Sequence, residues 1–487
     1  MKYEPVIGLE IHAQLKTNTK LFCPCSIKFG AGPNTQTCPV CLGMPGVLPV
    51  LNETAVRFAV MMAHAINSTV NPESVFARKN YFYPDLPKGY QISQYDKPLC
   101  ERGYLDIETK DGVKRIGITR IHMEEDAGKL LHGESSSDVN SSLVDLNRAG
   151  TPLIEIVSEP DIRNSEEASA YFKSIRDILL YLDISDGNMQ EGSLRCDANV
   201  SVRPVGEKKF GTRTELKNIN SFKFLRDAIE YEIERQINAI EDGERIVQET
   251  RLFDPASGKT RTMRSKEEAH DYRYFPEPDL KPLIIDEKEI ARLKETLPTL
   301  PAQMKEKFVN AYGLSSYDAG VLTSSKAVAD FYEQSASCAV SLSDSLQIKP
   351  KTISNWITGE QLRLLNEKNL DISESKVKPT DLIELIAMVE KGEINQKTGK
   401  EVFEEMFTSG KKAAIIVKEK GAGQISDSGA IEKAVDDVIA KNPNEAKRFK
   451  EGEEKLLSFF VGQIMKAMKG RANPQTATDV LKKKLLG

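Results

Sequence analysis

Alternating apolar and polar positions mark four segments of this 487-residue chain as strands. Val6–Gln14 sets Ile7, Leu9 and Ile11 against Gly8, Glu10, His12 and Gln14. Leu194–Val202 sets Leu194, Cys196, Ala198 and Val200 against Arg195, Asp197, Asn199 and Ser201. Ile116–Asp126 ends in His122-Met123-Glu124-Glu125-Asp126, and Thr151–Glu159 holds Glu155 alone in an apolar run. Side chains at i and i+2 share a strand face, so these polar groups can converge on one concave surface. Carboxylates and an imidazole crowded together repel unless a cation joins them, and magnesium on a nucleotide phosphate fits that need.

The periodicity then divides the chain. Residues 1–292 mix strands with helices expected at Glu53–Ile66, Glu166–Leu182 and Phe222–Ala239, and Asp111-Gly112 reads as a hairpin turn. Asn220 or Ser221 suits the cap of the third helix. This predicts an α+β domain built on an antiparallel sheet. Over 293–412 the 3.6-residue period takes over, predicting helices at Pro301–Ala311, Ala327–Gln334, Ser341–Thr358, Pro379–Lys391 and Asn395–Thr408. A Lys/Gly break at 418–423 interrupts a third, small helical module, 413–487. Its last 27 residues carry Lys466, Lys469, Arg471, Lys482, Lys483 and Lys484 against Asp479 alone. That basic end suits an RNA backbone, with solvated surface helices as the competing reading.

Composition narrows the class. Hydrophobic residues at 40%, charged residues at 29% and a net charge of −5 describe an ordinary globular chain, without a nucleic-acid-coating surface. No apolar run reaches membrane-spanning length and the N-terminus opens directly into a strand pattern, so a cytoplasmic protein with reduced cysteines and no membrane partner is expected. Cys23 and Cys25, then Cys38 and Cys41 twelve residues on, have the spacing of a zinc knuckle. Four thiolates suit a closed, structural zinc site; four buried thiols are the plainer alternative. Cys100, Cys196 and Cys338 read as isolated core thiols.

Each acid has its own competing reading. Glu10 and His12 suit an exposed edge or a buried functional pair, and Asp197 with Asn199 beside Arg195 suit a cleft or a structural ion pair. The strand period leaves open whether Glu124 or Glu125 faces the cleft, because one bulge would exchange them. Arg78-Lys79-Asn80-Tyr81-Phe82-Tyr83-Pro84-Asp85 mixes cations and aromatics on an expected loop, and Lys217 precedes a helix. Lys79, Arg195 and Lys217 are the phosphate-contact candidates. Ser257-Gly258-Lys259-Thr260 imitates the end of a phosphate loop, but Phe253 stands where its first glycine belongs, and Asp254–Gly258 reads as a turn.

Taken together, Val6–His12, Arg78–Asp85, His122–Lys129, Asp145–Arg148, Gly150–Glu155, Glu191–Asn199, Glu215–Asn218, Asp271–Asp279, Phe460–Lys466 and Asn473-Pro474 closely resemble the B-subunit (GatB) family of tRNA-dependent amidotransferases, along essentially the whole chain. The resemblance implies a catalytic cradle similar to glutamine synthetase and guanido kinases, a helical domain, and a YqeY-like tail that binds tRNA. It implies an ATP-dependent ligase that phosphorylates Glu misacylated on glutamine tRNA, or Asp on asparagine tRNA, and amidates it with ammonia. It further implies magnesium on His12, Glu125 and Glu155 with Glu10 and Glu124 nearby; ATP is expected near Lys79, Arg195, Asp197, Asn199 and Lys217. Only some members of that family carry the zinc loop, and the complete set Cys23, Cys25, Cys38 and Cys41 favours an occupied site; tRNA contacts are expected from the basic tail at Lys466, Lys469, Arg471, Lys482 and Lys483. Its partners would be an amidase (A) subunit supplying ammonia and a small C subunit; no glutaminase context is found here. The rival classes are a zinc-bearing RNA-binding scaffold and a free-standing ligase using dissolved ammonia.

Overall fold

A computed structural model describes residues 2–132, 142–265, 272–341, 347–421, 428–450, 452–453, 455–468 and 474–486. The chain forms two compact units, Met1–Leu300 and Pro301–Gly487. In the first, the strands are β1 (Tyr3–Gln14), β2 (Thr69–Val70), β3 (Glu73–Ser74), β4 (Phe76–Asn80), β5 (Tyr90–Gln94), β6 (Cys100–Thr109) and β7 (Gly112–Glu125). They continue as β8 (Lys129–His132), β9 (Ser142–Asp145), β10 (Pro152–Ser158), β11 (Leu194–Pro204), β12 (Thr214–Ile219), β13 (Glu249–Asp254), β14 (Lys259–Ser265), β15 (Phe275–Pro276) and β16 (Leu283–Ile284). Nine of them make one sheet in the order β14-β13-β12-β11-β1-β10-β7-β6-β2. Its ladders are antiparallel except β12–β13. A second sheet, β15-β4-β5, carries the Arg78–Asn80 segment.

Alternation decides the two faces of the large sheet. Ile7, Leu9, Ile11, Ile121, Met123, Ile154, Ile156, Cys196, Ala198 and Val200 are all buried in one core. Helices α1 (Glu53–Ala65), α2 (Ser165–Tyr181) and α3 (Phe222–Glu241) contribute their apolar stripes to it. Each helix begins where a polar side chain accepts an otherwise orphan amide: Asn52 from Ala55 at 3.2 Å, Asn164 from Glu167 at 2.8 Å, Ser221 from Phe224 at 3.0 Å. Such caps contribute about 1 kcal/mol each. Ser221, then, is the cap of the third helix. The expected Asp111-Gly112 hairpin joins β6 to β7. The Ser257–Thr260 mimic sits in the β13–β14 hairpin, with Asp254 opposite Lys259, so it is a turn.

The second unit is helical, and two buried clusters lie in it, one from Met304 to Val417 and one from Ile431 to Leu485. Helices Pro301–Tyr312, Lys326–Ser341, Pro379–Glu390 and Gln396–Ser409 match the periodicity. The expected Ser341–Thr358 helix does not: part of it lies outside the described residues, and the helix begins at Pro350. It then passes through a wide turn, Ile357–Gln361, into Leu362–Lys368. Proline favours the first helical turn, which explains the start. Cys100 and Cys196 are buried as expected, whereas Cys338 is only half-buried.

Candidate active site and metal centre

The polar face of the sheet is assembled by register. His12 of β1 lies opposite Glu155 of β10, which lies opposite His122 of β7, so three groups far apart in sequence share one rung. Glu124, two residues beyond His122, stays on that face. His12 Nε2 is 3.3 Å from Glu155 Oε2 and 3.6 Å from Glu124 Oε1. His122 Nε2 is 3.2 Å from Glu155 Oε2 and 3.8 Å from Glu124 Oε2. His12, Glu124 and Glu155 offer ligand atoms that all lie within 4.8 Å of one another.

Glu125 is a correction. It follows Glu124 on a regular strand, so its carboxylate turns to the opposite face, where it pairs with Lys88 and accepts from the Ile92 amide at 2.9 Å. The expected grouping of His12, Glu125 and Glu155 therefore does not come together; Glu124, not Glu125, lies with His12 and Glu155. No bulge interrupts β7 at 122–125, and that removes the ambiguity.

Electrostatics balance the cluster. Burial opposes charge on His122, but Glu155 and Glu124 outweigh it and push its pKa up to about 9. His12 is raised against the same burial by Glu155 and Glu124. Burial likewise opposes ionised carboxylates here, yet His122 and Lys79 push Glu124 down to about 2, and the two imidazoles hold Glu155 well below the usual range. Glu10 differs: burial raises it, and Glu155, Glu215 and Asp197 add to the rise.

The remaining predicted residues line the same face from β11 and β12. Asn199 Nδ2 donates to Glu10 Oε1 at 2.8 Å. Lys217 pairs with Asp197 and lies 3.1 Å from Glu215. Arg195 donates to Asp126 Oδ1 at 3.0 Å, while Gln14 donates to Asp126 Oδ2 at 2.8 Å. Lys79 reaches in from β4, its ammonium 5.1 Å from the Tyr272 ring centroid and its charged form favoured by Glu124. Two cavities adjoin: one of about 340 Å³ beside Glu10, Asn199, Ser201 and Arg213, and one of about 840 Å³ beyond Gln14, lined by Lys28, Phe29, Lys129, Arg148 and Ser193.

A family model described as the GatB/GatE catalytic domain matches residues 5–291, and a second, GatB_Yqey, described as GatB domain, matches 341–485. The chain belongs to the GatB/GatE family. It is 58% identical over 481 residues to the B subunit of the aspartyl/glutamyl-tRNA(Asn/Gln) amidotransferase of Thermodesulfovibrio yellowstonii, covering 99% of each chain. It is 57% identical to the protein of that name from Geotalea uraniireducens and 56% to that from Geobacter sulfurreducens, each over 487 residues and the full length of both chains.

This GatB/GatE chain holds a second cluster, formed by Cys23, Cys25, Cys38 and Cys41, whose sulfurs also lie within 4.8 Å of one another. The Cys38 amide points at Cys41 Sγ over 3.1 Å, the knuckle geometry that steadies a thiolate. Hydrogen bonding to Cys23, joined by the Cys38 amide and Lys20, brings Cys41 down to about 4, while burial lifts Cys25 to about 11. Four sulfurs at these distances fit a tetrahedral zinc ion. Gly43 closes the knuckle at φ +65°, and a Cβ there would stand 2.6 Å from Lys88 Cγ.

Sequence reasoning places His122, Asp126 and Glu215 within motifs but gives them no role. The period-2 spacing of His122 and Glu124 is the available signal for the first. In the tail, Lys466, Lys482 and Lys483 are on described helices, and Lys469 and Arg471 lie outside the described residues. No helix among the described residues is long and apolar enough to cross a membrane.

Proposed function

We propose that this chain is the B subunit of an aspartyl/glutamyl-tRNA amidotransferase. It phosphorylates the side-chain carboxylate of Glu on glutamine tRNA or Asp on asparagine tRNA, and the acyl phosphate is then aminolysed. The single observation that carries the reading is the His12–Glu124–Glu155 cluster, on a sheet face shared with Glu10, Arg195, Asp197 and Lys217. His12, Glu124 and Glu155 would hold magnesium, with His122 fixing both carboxylates from behind. Bound there, the metal supplies positive charge to the phosphoryl oxygens of ATP.

The chain's own residues do the rest. Lys79, Arg195 and Lys217 present cations to phosphate, and Asp126 and Asp197 hold two of them in place. Glu10 and Asn199, bordering the smaller cavity, suit the nucleotide. The larger basin, with its cations and exposed Phe29, gives room for an aminoacylated RNA end. The substrate carboxylate is already ionised at neutral pH, so its oxygen attacks the γ-phosphorus unaided and the bond to ADP breaks. Ammonia then adds to the acyl carbon, the carbon–oxygen bond to phosphate breaks, and a proton is lost as the amide forms.

The ammonia comes from an amidase (A) subunit, with a small C subunit completing the complex in the cytoplasm. The four cysteines form a structural zinc site. The parts are a cradle domain (1–292) similar to glutamine synthetase and guanido kinases, a helical domain (293–412), and a YqeY-like tail (413–487). The tail contacts tRNA through Lys466, Lys469, Arg471, Lys482 and Lys483. What supports three parts is that the buried apolar residues fall into three clusters, the second running on to Val417.

The test is amidation of purified misacylated tRNAs by the reconstituted complex with ammonium as nitrogen source, which bypasses the amidase. Glu155→Gln should lose this activity while remaining folded. Undiminished ammonium-driven amidation would instead assign the chain a scaffold role.

A further inference from the structure

Lys20 is almost completely buried, at 1% exposure, on the segment between β1 and the cysteine loop. A lysine in that position must be compensated by partners at hand. Its Nζ lies 3.5 Å from Cys41 Sγ and donates to the Leu146 carbonyl at 3.2 Å. Its stem runs past Gly150, where a Cβ would approach Lys20 Cδ to 3.4 Å. A zinc ion with four thiolates carries a net charge of −2, which a buried site does not hold alone. Lys20 is the cation placed against it.

The next residue, Leu21, ties the same segment to the cleft through the backbone. The Leu21 amide donates to the Gly150 carbonyl at 2.8 Å, the Gly150 amide to Asp126 at 2.8 Å, and the Asp126 amide to Thr151 at 2.8 Å. Asp126 in turn fixes Arg195 and Gln14. Segment 146–151 thus lies between the cysteine loop and the strands that carry Glu124 and Glu155.

We propose that Lys20 is a positioning residue of the four-cysteine centre: its ammonium offsets thiolate charge and straps the loop to segment 146–151, so that the metal and the cleft margin hold each other in place. The inference rests on reading the cysteines as a zinc site. Outer-shell partners of a metal typically alter its retention about 10–100-fold.

The experiment compares the full-length wild-type protein with Lys20→Met, Lys20→Gln and Lys20→Arg, measuring zinc content, the rate of zinc transfer to a chelator, and amide exchange in 146–151. Lys20→Met and Lys20→Gln should release zinc roughly 10-fold faster or more and exchange faster in 146–151. Lys20→Arg, which keeps the charge, should stay near wild type. Gln covers the case in which Met does not fold. Wild-type release rates in both neutral variants would overturn the proposal. A wild-type protein that binds neither zinc nor cobalt, with no thiolate-to-cobalt absorption band, would instead overturn the zinc reading beneath it.

Discussion

The cysteine loop and the acidic cleft are both tight clusters of ligand atoms, but they solve the charge problem in opposite ways. In the cleft, two imidazoles stand between two carboxylates, and their shifts are complementary: His12 and His122 up, Glu124 and Glu155 down. Each group there offsets part of its neighbours' charge before any ligand arrives. The cysteine loop has no such balance; Lys20 opposes it with a single charge, and the sulfurs cannot all ionise without a metal.

The largest effect expected is in the cleft. Glu124→Gln or Glu155→Gln should reduce ADP release in the presence of misacylated tRNA roughly 10²-fold or more, on the scale of losing one fixed contact to developing charge. Thermal melting should show the sheet still folded. Glu125→Gln sharpens the contrast: it breaks the buried pair with Lys88, costing about 3 kcal/mol of stability. The magnesium concentration needed for half-maximal activity should stay unchanged, whereas Glu124→Gln should raise it. An equal magnesium shift in both would return Glu125 to the metal set.

Metal removal should act on the loop and on the 146–151 segment that Lys20 ties to it. Stripping zinc, or Cys41→Ser, should open residues 23–41 to limited proteolysis and lower the melting temperature by several degrees, with the β1–β10–β7 core retaining its amide protection. Simultaneous loss of protection in both regions would break the comparison.

The smallest effect concerns an acid with no imidazole beside it. Asp177 on α2 is half-buried, and burial pushes it up to about 6 against Lys173 and Arg176. Its folded pKa exceeds the ordinary value, so the folded state holds the proton more tightly. Stability therefore falls as pH rises from about 4 to about 6 and is level above that. Asp177→Asn should gain about 1 kcal/mol at pH 7 and nothing below pH 4, read from urea melts at the two pH values.

Much of this is legible in the sequence because it is local. The four cysteines lie within one short loop, the helices Glu53–Ala65 and Phe222–Glu241 carry their own caps and stripes, and β1 and β11 alternate cleanly. The Ser341–Thr358 expectation fails because Pro350 restarts a helix whose apolar period runs on across the break. Lys20 gives no signal at all, since a single lysine beside a strand normally points to water.

By its own periodicities the sequence determined which segments become strands and helices, which strand face is polar, and where a thiolate loop closes. Only tertiary structure decided that His12, Glu155 and His122 share one rung, that Glu124 rather than Glu125 joins them, and that a buried lysine stands against Cys41. The physical reason is range. Alternation and capping act over a few residues, but which strand lies beside which, and in what register, is fixed by burial of an apolar face drawn from the whole unit.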